Sequence, residues 1–456
     1  MEGKAMATAL IILAAGKGTR MKSDLPKVLH PLAGMPMLAH AMRAGATLSP
    51  DRTIIVAGHG GEAVARAARA VDPAAQIALQ PQQRGTGDAV ARAAPLLEGF
   101  SGDALVLYGD TPFIAPQTLA AMARARAAHD IVVLGFHAAD PGRYGRLMMT
   151  DGELARIIEY KDATAEERAI DFCNSGILLA DSATLLRLVS RVGNNNGAGE
   201  YYLTDIVALA RAEGLSATAI ACDESETMGV NSRADLAHAE AAFQAGARAR
   251  ALDGGATLIA PETVHFAYDT ELGTDTVIEP YVVFGPGVRV ESGAHIRAFS
   301  HLEGVDVGPG AVVGPYARLR PGSTLKDGAR IGNFVEIKNA AIAEGAKVNH
   351  LSYIGDAHIG AGTNIGAGTI TCNYDGVSKH RTEVGDGVLI GSDTMLVAPV
   401  RVGAGAMTAS GSVITSDVPE AALAIARSRQ VNKPGLARKL IKMLKKKAGK
   451  AGGKVR

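Results

Sequence analysis

Tryptophan is absent from this 456-residue sequence, and aromatic residues of all kinds make up only 4% of it. Cores built around large rings are therefore not expected; 54 glycines point instead to closely stacked, repetitive backbone. Cysteine is nearly as scarce. Cys173, Cys222 and Cys372 lie far apart with no CxxC pair, which argues against a disulfide framework or a zinc site and suits a reducing cytoplasm. Long apolar runs are missing too: the stretch at 9–15 is too short to cross a bilayer and ends in a glycine loop rather than a cleavage site. Nor is there a surplus of either charge. With 47 basic against 46 acidic residues, net +1, no whole-chain field recruits nucleic acid or membrane, and neither is expected as a partner. What the chain does have is length and apolar content, 47% hydrophobic, enough for two or three domains with cores of their own.

In the first half, short apolar runs at 10–13, 53–57, 76–79, 104–108 and 131–136 alternate with alanine-rich stretches such as 62–70 and 117–128. That order predicts a largely parallel sheet covered by helices, an α/β, Rossmann-like domain over 1–231. In such sheets ligands sit at the carboxyl ends of the strands. The two most suggestive loops, after Leu13 and after Tyr108, are both strand exits. An unbroken alanine-rich helix is expected at 232–252; it reads as a linker or as a third-layer helix of the first domain.

From 253 to 432 the rhythm changes. Large residues recur every sixth position: Ile278, Phe284, Val290, Ile296, Leu302. After a slip of one the series runs Val307, Val313, Leu319, Leu325, Ile331, Ile337, then Ile342, Val348, Ile354, then Ile359, Ile365, and finally Val384, Ile390, Leu396, Val402. Four residues after nearly every member sits Ala, Ser, Thr or Val; Asp306 and His358, both next to slips, are the exceptions. Period six belongs to neither a helix nor a simple strand. It fits a solenoid whose coil has three short flat faces, with the large residue inside the prism. Such repeats resemble the left-handed parallel β-helix of hexapeptide-repeat acyltransferases. The hand comes from that resemblance, since the general rule for parallel crossovers favours right-handed connections. Residues 371–383 interrupt the repeat and read as a loop thrown out of the coil. The tail at 433–456 is basic, with Lys439, Lys442, Lys445, Lys446 and Lys447 close together. Disordered, solvated chain is expected there, a weak phosphate or nucleic-acid contact being the alternative.

Leu13-Ala14-Ala15-Gly16-Lys17-Gly18-Thr19-Arg20-Met21 follows the first predicted strand. Glycines let backbone approach a phosphate, successive N–H groups can line an anion nest, and Lys17 and Arg20 add positive charge. With Pro26-Lys27 downstream, the run resembles the signature of sugar-phosphate nucleotidyltransferases. It lacks the GK[ST] of a Walker loop and the glycine spacing of a dinucleotide fingerprint. Tyr108-Gly109-Asp110 puts one carboxylate at the mouth of the sheet, where it can hold Mg²⁺ beside phosphates. The resemblance implies that Gln80, Gly85 and Thr86 read the base, with the Gln80 amide on the edge of a uracil. It also implies that Gly145, Glu159 and Asn174 hold the sugar and that Asn231 joins Asp110 on the metal. Leu13, Ala14, Ala15, Gly16, Arg20, Lys27, Tyr108 and Gly109 complete that site.

Within the solenoid, Lys347-Val348-Asn349-His350-Leu351-Ser352-Tyr353 places a histidine on a coil corner. Arg318, Arg320 and Lys338 lie upstream, and Asn364, Asn373 and Tyr374 downstream. Cations and amides around one histidine suit a phosphorylated amine substrate. An ammonium cannot attack a thioester; a neutral imidazole, with a reference pKa of about 6.5, can take the proton. The order of the two halves, Gly332-Asn333-Phe334-Val335-Glu336, the run at 366–376 and Gly391-Ser392-Asp393-Thr394 resemble one bacterial bifunctional family over nearly the whole chain. That family joins glucosamine-1-phosphate N-acetyltransferase to N-acetylglucosamine-1-phosphate uridylyltransferase.

The resemblance implies that His350 is a general base, that Arg320 and Lys338 bind the sugar phosphate, and that Tyr353 and Asn364 hold the sugar. Ala367, Asn373, Tyr374, Ser392, Ser410 and Arg427 would line the acetyl-CoA site; Ser410 stands where the family often has alanine. It further implies acetyl transfer to glucosamine 1-phosphate, then uridylyl transfer from UTP to N-acetylglucosamine 1-phosphate, in a cytoplasmic homotrimer. A single-activity nucleotidyltransferase with a structural solenoid and a non-catalytic scaffold are the alternatives. His350 with Arg320, Lys338 and Tyr353 opposes the first. Asp110 with Asn231 and Lys27 opposes the second.

Overall fold

The computed structural model describes residues 7–451; residues 1–6 and 452–456, which the expected limits of the first domain and the tail include, lie outside the described residues. The chain divides into two compact units. One holds the described residues through Asp253 together with His265–Thr270; the other holds Gly254–Val264 and the described residues from Glu271 onward.

Seven strands make the main sheet of the first unit: β1 Thr8–Ala14, β2 Arg52–Ala57, β3 Gln76–Leu79, β4 Asp103–Tyr108, β5 Ile131–His137, β6 Phe172–Asp181 and β7 Ala217–Cys222. Their order is β7-β5-β6-β4-β1-β2-β3. Only β6 runs antiparallel to its neighbours. In β1, Ala9, Ile11 and Leu13 pack into one core while Leu10, Ile12 and Ala14 pack into another. A strand buried on both faces demands the unbroken apolar run seen in the sequence. Helices Met37–Ala46, Gly61–Val71 and Pro116–Arg126 contribute to one core, and Thr86–Ala91, Ser182–Val189 and Asp205–Ala212 to the other. From β1 the chain moves outward through β2 and β3, then crosses back to β4 on the other side. That reversal opens a crevice at the carboxyl ends of β1 and β4.

The helix Arg233–Asp253 belongs to this unit. Its Gln244, buried, accepts from the Phe266 N–H at 2.8 Å and donates to the Phe266 carbonyl at 2.7 Å. Ala239 packs with Leu32, Met37 and Val230. The helix expected at 232–252, read either as a linker or as a third-layer helix, is packed as a further layer of this unit, which extends past 231.

The second unit is a parallel β-helix, consistent with the left-handed hexapeptide class. Its three faces are sheets of 10, 8 and 8 short strands. The six-residue series falls into columns. Ile278, Ile296, Val313, Ile331, Val348, Ile365 and Ile390 stack on the first face. Val290, Val307, Leu325, Ile342, Ile359, Val384 and Val402 stack on the second, and Phe284, Leu302, Leu319, Ile337 and Ile354 on the third. Asp306 and His358 break the small-residue rule for a physical reason. A short coil drops one residue just ahead of them, so Val305 and Ala357 take the interior position, 1% and 0% exposed.

Thr371 and Thr382 are buried in strands Ile370–Cys372 and Thr382–Val384, which narrows the interruption expected at 371–383. Thr371 stands where the third face would carry another large residue. Its hydroxyl accepts from the Gly355 N–H at 2.7 Å and donates to the Gly355 carbonyl at 3.0 Å. Thr371→Val keeps the shape but leaves that buried N–H without its acceptor. We expect a loss of about 1–3 kcal/mol, read as a lower urea midpoint. Past the coil, residues Leu436–Ala451 form a helix where the sequence predicts disordered chain.

Candidate active sites

The crevice between β1 and β4 holds a cavity of about 280 Å³ lined by Leu13, Ala14, Ala15, Gly16, Lys27, Gln80, Gly85, Thr86, Tyr108 and Asp110. The Gly109 N–H donates to the Leu13 carbonyl at 3.0 Å, pinning the two strand exits together. Gly18 is left-handed (φ +61°), and a Cβ there would meet the Lys27 Cβ at 2.6 Å. Glycine is what lets Lys27 close against the loop. Lys27 then pairs with Asp110 and donates to Asn231 Oδ1 at 3.0 Å. The Val230 N–H donates to the Asp110 carbonyl at 3.0 Å, holding the Asn231 segment in place. Arg20, on the turn Thr19–Met21, is exposed, and its charge reaches Asp235.

Gln80 is buried, and its Nε2 donates to the Gly85 carbonyl at 3.1 Å and to Asp88 Oδ2 at 2.8 Å. Both partners are acceptors, so the orientation of the amide is fixed. Toward a uracil it can offer its carbonyl oxygen to N3–H, whereas its donors are committed. Nearby, Glu159 accepts from Thr204 Oγ1 at 3.1 Å, and burial pushes its carboxyl above the usual range. The Asn174 N–H donates to the Gly145 carbonyl at 2.8 Å, and a side chain at Gly145 would abut both Asn174 and Glu159. The three expected sugar residues therefore come together. Tyr108 lines both the cavity and the small apolar recess beside Asn174. Burial first, then the charges of Glu159 and Asp110, push its phenol up, so it stays a neutral donor.

Among the described residues, no group of three or more His, Cys, Asp or Glu is placed to hold a metal ion. Asp110 and Asn231 still fit a hard divalent cation. Two oxygens that hold one ammonium between them present negative potential to any cation, and Mg²⁺ takes its other oxygens from phosphate and water. Sequence reasoning missed Gln83, which donates to the Ala15 carbonyl at 2.8 Å, as well as Glu200 on the lining and Thr204. They lie outside the motifs, and only the fold brings them to the site.

In the second unit, Arg320, Lys338 and Gly355 occupy one register column of the third face, and Arg318, Glu336 and Tyr353 another. Arg320 donates to Glu336 Oε1 at 2.8 Å, which holds its guanidinium charged. A Cβ at Gly355 would meet Tyr353 Oη at 2.4 Å; glycine there leaves room for the ring to lie back toward the Lys338 column. Asp356 ties this group together. It accepts from Asn339 Nδ2 at 2.7 Å and from Asn373 Nδ2, and Lys338 Nζ stands 3.7 Å away. Burial alone would raise the Asp356 carboxyl; the bonds from Asn339 and Asn373 and the charge of Lys338 bring it below its ordinary value. Lys379, in the outward loop and missed from sequence, sits against Lys338, whose like charge pushes it down. Adjacent ammoniums of this kind make an anion site.

His350 stands on the first face in register with Asn333, its Nδ1 3.0 Å from Asn333 Oδ1. With a carbonyl oxygen as partner, Nδ1 carries the hydrogen and Nε2 keeps the lone pair. Two residues after the inward members Val348, Ile365, Ile390 and Thr408 come His350, Ala367, Ser392 and Ser410, one per coil. Backbone bonds string this column together: Gly368 N–H to His350 O at 3.2 Å, Asp393 N–H to Ala367 O at 2.7 Å, and Gly411 N–H to Ser392 O at 2.8 Å. Arg427 lies beside Gly411. Tyr374 is exposed on the outward loop. Asn364 does not join His350 within one chain. It pairs with Lys347, three positions or about 10 Å along the same face.

A doubly covered sheet with a glycine-loop crevice, followed by a hexapeptide coil that carries a group of cations on one face and a histidine on the next, defines a nucleotidyltransferase fused to an acyltransferase-type β-helix. The pattern of the MobA-like NTP transferase domain matches residues 10–172. A relative from Ruegeria pomeroyi, named bifunctional protein GlmU, is 68% identical, with 98% of this chain and 99% of the relative covered. Its namesakes from Ruegeria sp. (strain TM1040) and Jannaschia sp. (strain CCS1) are 65% and 62% identical, covering 98% and 96% of this chain and 100% and 96% of their own. The chain belongs to the GlmU family of bifunctional enzymes.

Proposed function

We propose that the coil acetylates glucosamine 1-phosphate from acetyl-CoA and that the front cavity then transfers a uridylyl group from UTP to N-acetylglucosamine 1-phosphate, releasing pyrophosphate. The observation that supports this reading is that each unit holds a separate group of charged side chains. Lys27, Asp110 and Asn231 form one; Arg320, Lys338 and Asp356 form the other, with Tyr353 in the neighbouring register column and His350 on the adjoining face.

At the front, the sugar phosphate attacks the α-phosphorus of UTP, anion against anion, so no protein nucleophile is needed. Lys27, Arg20 and the N–H groups of the glycine loop offset the repulsion. Asp110 and Asn231 would hold Mg²⁺, which supplies further neutralisation at the phosphates. Gln80 accepts from the base, while Gly145, Glu159 and Asn174 hold the sugar. At the rear, His350 Nε2 takes a proton from the 2-amino group as nitrogen attacks the thioester carbonyl. The amide forms and CoA leaves as thiolate. Arg320, Lys338 and Lys379 bind the phosphate, and Tyr353 holds the sugar. Acetyl-CoA lies along the column Ala367, Ser392, Ser410, flanked by Asn373, Tyr374 and Arg427.

A homotrimer is the proposed assembly. Asn364 stands about 10 Å along the face from His350, and a second copy can bring its own Asn364 to the sugar. The exposed stack Tyr281, Phe299, Tyr316 and Phe334, with ring centroids 4.9, 4.9 and 5.3 Å apart, gives the coil an apolar edge for self-association. A cytoplasmic location, where UTP and acetyl-CoA are supplied, completes the reading.

EDTA tests the division of labour. Uridylyl transfer should vanish while acetyl transfer continues; equal loss of both would overturn the assignment. A second expectation concerns Glu159. Because burial raises its folded pKa, ionising it costs stability as pH climbs from the ordinary value of 4.5 through the raised one. Glu159→Gln removes that cost. The variant should melt above the native protein at about pH 8 and show little gain at about pH 4, while its KM for N-acetylglucosamine 1-phosphate rises.

A further inference from the structure

The helix Leu436–Ala451 is exposed along all its described side chains through Gly449. Leu436, Leu440, Met443 and Leu444 share one face with Ile441 at its border, an arc of roughly 160° at 3.6 residues per turn. These five side chains are 37% to 61% exposed. Arg438, Lys439, Lys442, Lys445 and Lys446 fill the opposite face. Lys447 falls within the apolar arc, toward its C-terminal end, where a long side chain can snorkel. No acidic residue occurs from 433 onward. A solvated helix has no use for such a stripe, because apolar area of this size is stable only when something buries it.

Charge and shape select the partner. Nucleic acid would take the lysines and leave the leucines in water. A groove in another protein would have to match a wide apolar arc and also supply acids along the cationic face. An anionic bilayer surface does both without specific matching: acyl chains take the leucines and phosphate headgroups take the lysines. We propose that this helix docks the enzyme on anionic phospholipid membranes, lying in the plane of the surface. It does not cross: no helix among the described residues is long and apolar enough to do so.

The test is sedimentation of the full chain with vesicles of phosphatidylcholine alone and of phosphatidylcholine mixed with phosphatidylglycerol. Protein should pellet with the mixed vesicles only and be released at high salt, where screening shortens the reach of each charge. Lys442→Gln with Lys446→Gln should weaken binding roughly 25-fold, at about fivefold per charge. Leu440→Glu with Leu444→Glu should abolish it. Both catalytic activities in solution should stay at native levels in every variant, which shows that the folded units are intact. No pelleting with the anionic vesicles, equal pelleting with neutral ones, or retention after the leucine substitutions would each overturn the proposal.

Discussion

His350→Ala should lower acetyl transfer by about 10²–10⁴-fold, the usual worth of a positioned general base, and leave uridylyl transfer at its native rate. The selectivity follows from the division of the chain into two units, with Lys27, Asp110 and Asn231 all in the other one. The loss should fall on kcat. Arg320 and Lys338 are assigned to the phosphate rather than the amine, so KM for glucosamine 1-phosphate should move little. The residual activity should also climb with pH, because more of the substrate amine is then neutral and solvent base takes the proton that attack releases. Thiol release from acetyl-CoA across a pH series measures both. A parallel fall in uridylyl transfer would mean that the substitution acts through folding.

The prism is legible in sequence because period six has no competitor: neither helix nor open strand places Ile278, Ile296 and Val313 where a three-sided coil does. Where the series fails, hydrogen bonding has displaced apolar packing. Thr371 sits inside because Gly355 needs a partner for both of its backbone groups, a demand that no spacing rule encodes. The helix Arg233–Asp253 is readable as a helix, but the sequence leaves the linker and third-layer readings both open, since its anchor is Gln244 bonding to Phe266 across a loop. The tail conceals its helix for another reason. The cluster of lysines draws attention to charge, while Leu436, Leu440 and Leu444 show their common face only once helical spacing is imposed.

The sites divide in the same way. Motif residues such as Gly16, Lys27, Asp110 and His350 carry their chemistry in local sequence. Thr204, Gln83, Asp356 and Lys379 do not, because each acts on a residue that a loop or a coil register brings near. Gln80 shows the limit most clearly. Its place in the cavity follows from resemblance, but the direction of its hydrogen bonds depends on Gly85 and Asp88, and that decides which edge of a base it can read.

Asp110→Ala should cut uridylyl transfer by about 10²–10³-fold, the range seen when one electrostatic contact to a developing charge is removed, with acetyl transfer unchanged. It should also destabilise the first unit. The Lys27 and Asp110 side chains are 13% and 17% exposed, so the variant leaves a mostly buried ammonium with only Asn231 Oδ1 as partner. We expect a cost of about 1–3 kcal/mol, between the limits for surface and buried pairs. Adding Lys27→Met separates the two effects. The double variant removes the stranded charge, so its melting temperature should return most of the way to native. Its uridylyl transfer should stay at or below the level of Asp110→Ala, because both the carboxylate proposed to hold the metal and the cation proposed to face the phosphates are then gone. Recovery of activity together with stability would show that the pair only holds the fold, and that the chemistry at the mouth of the sheet lies elsewhere.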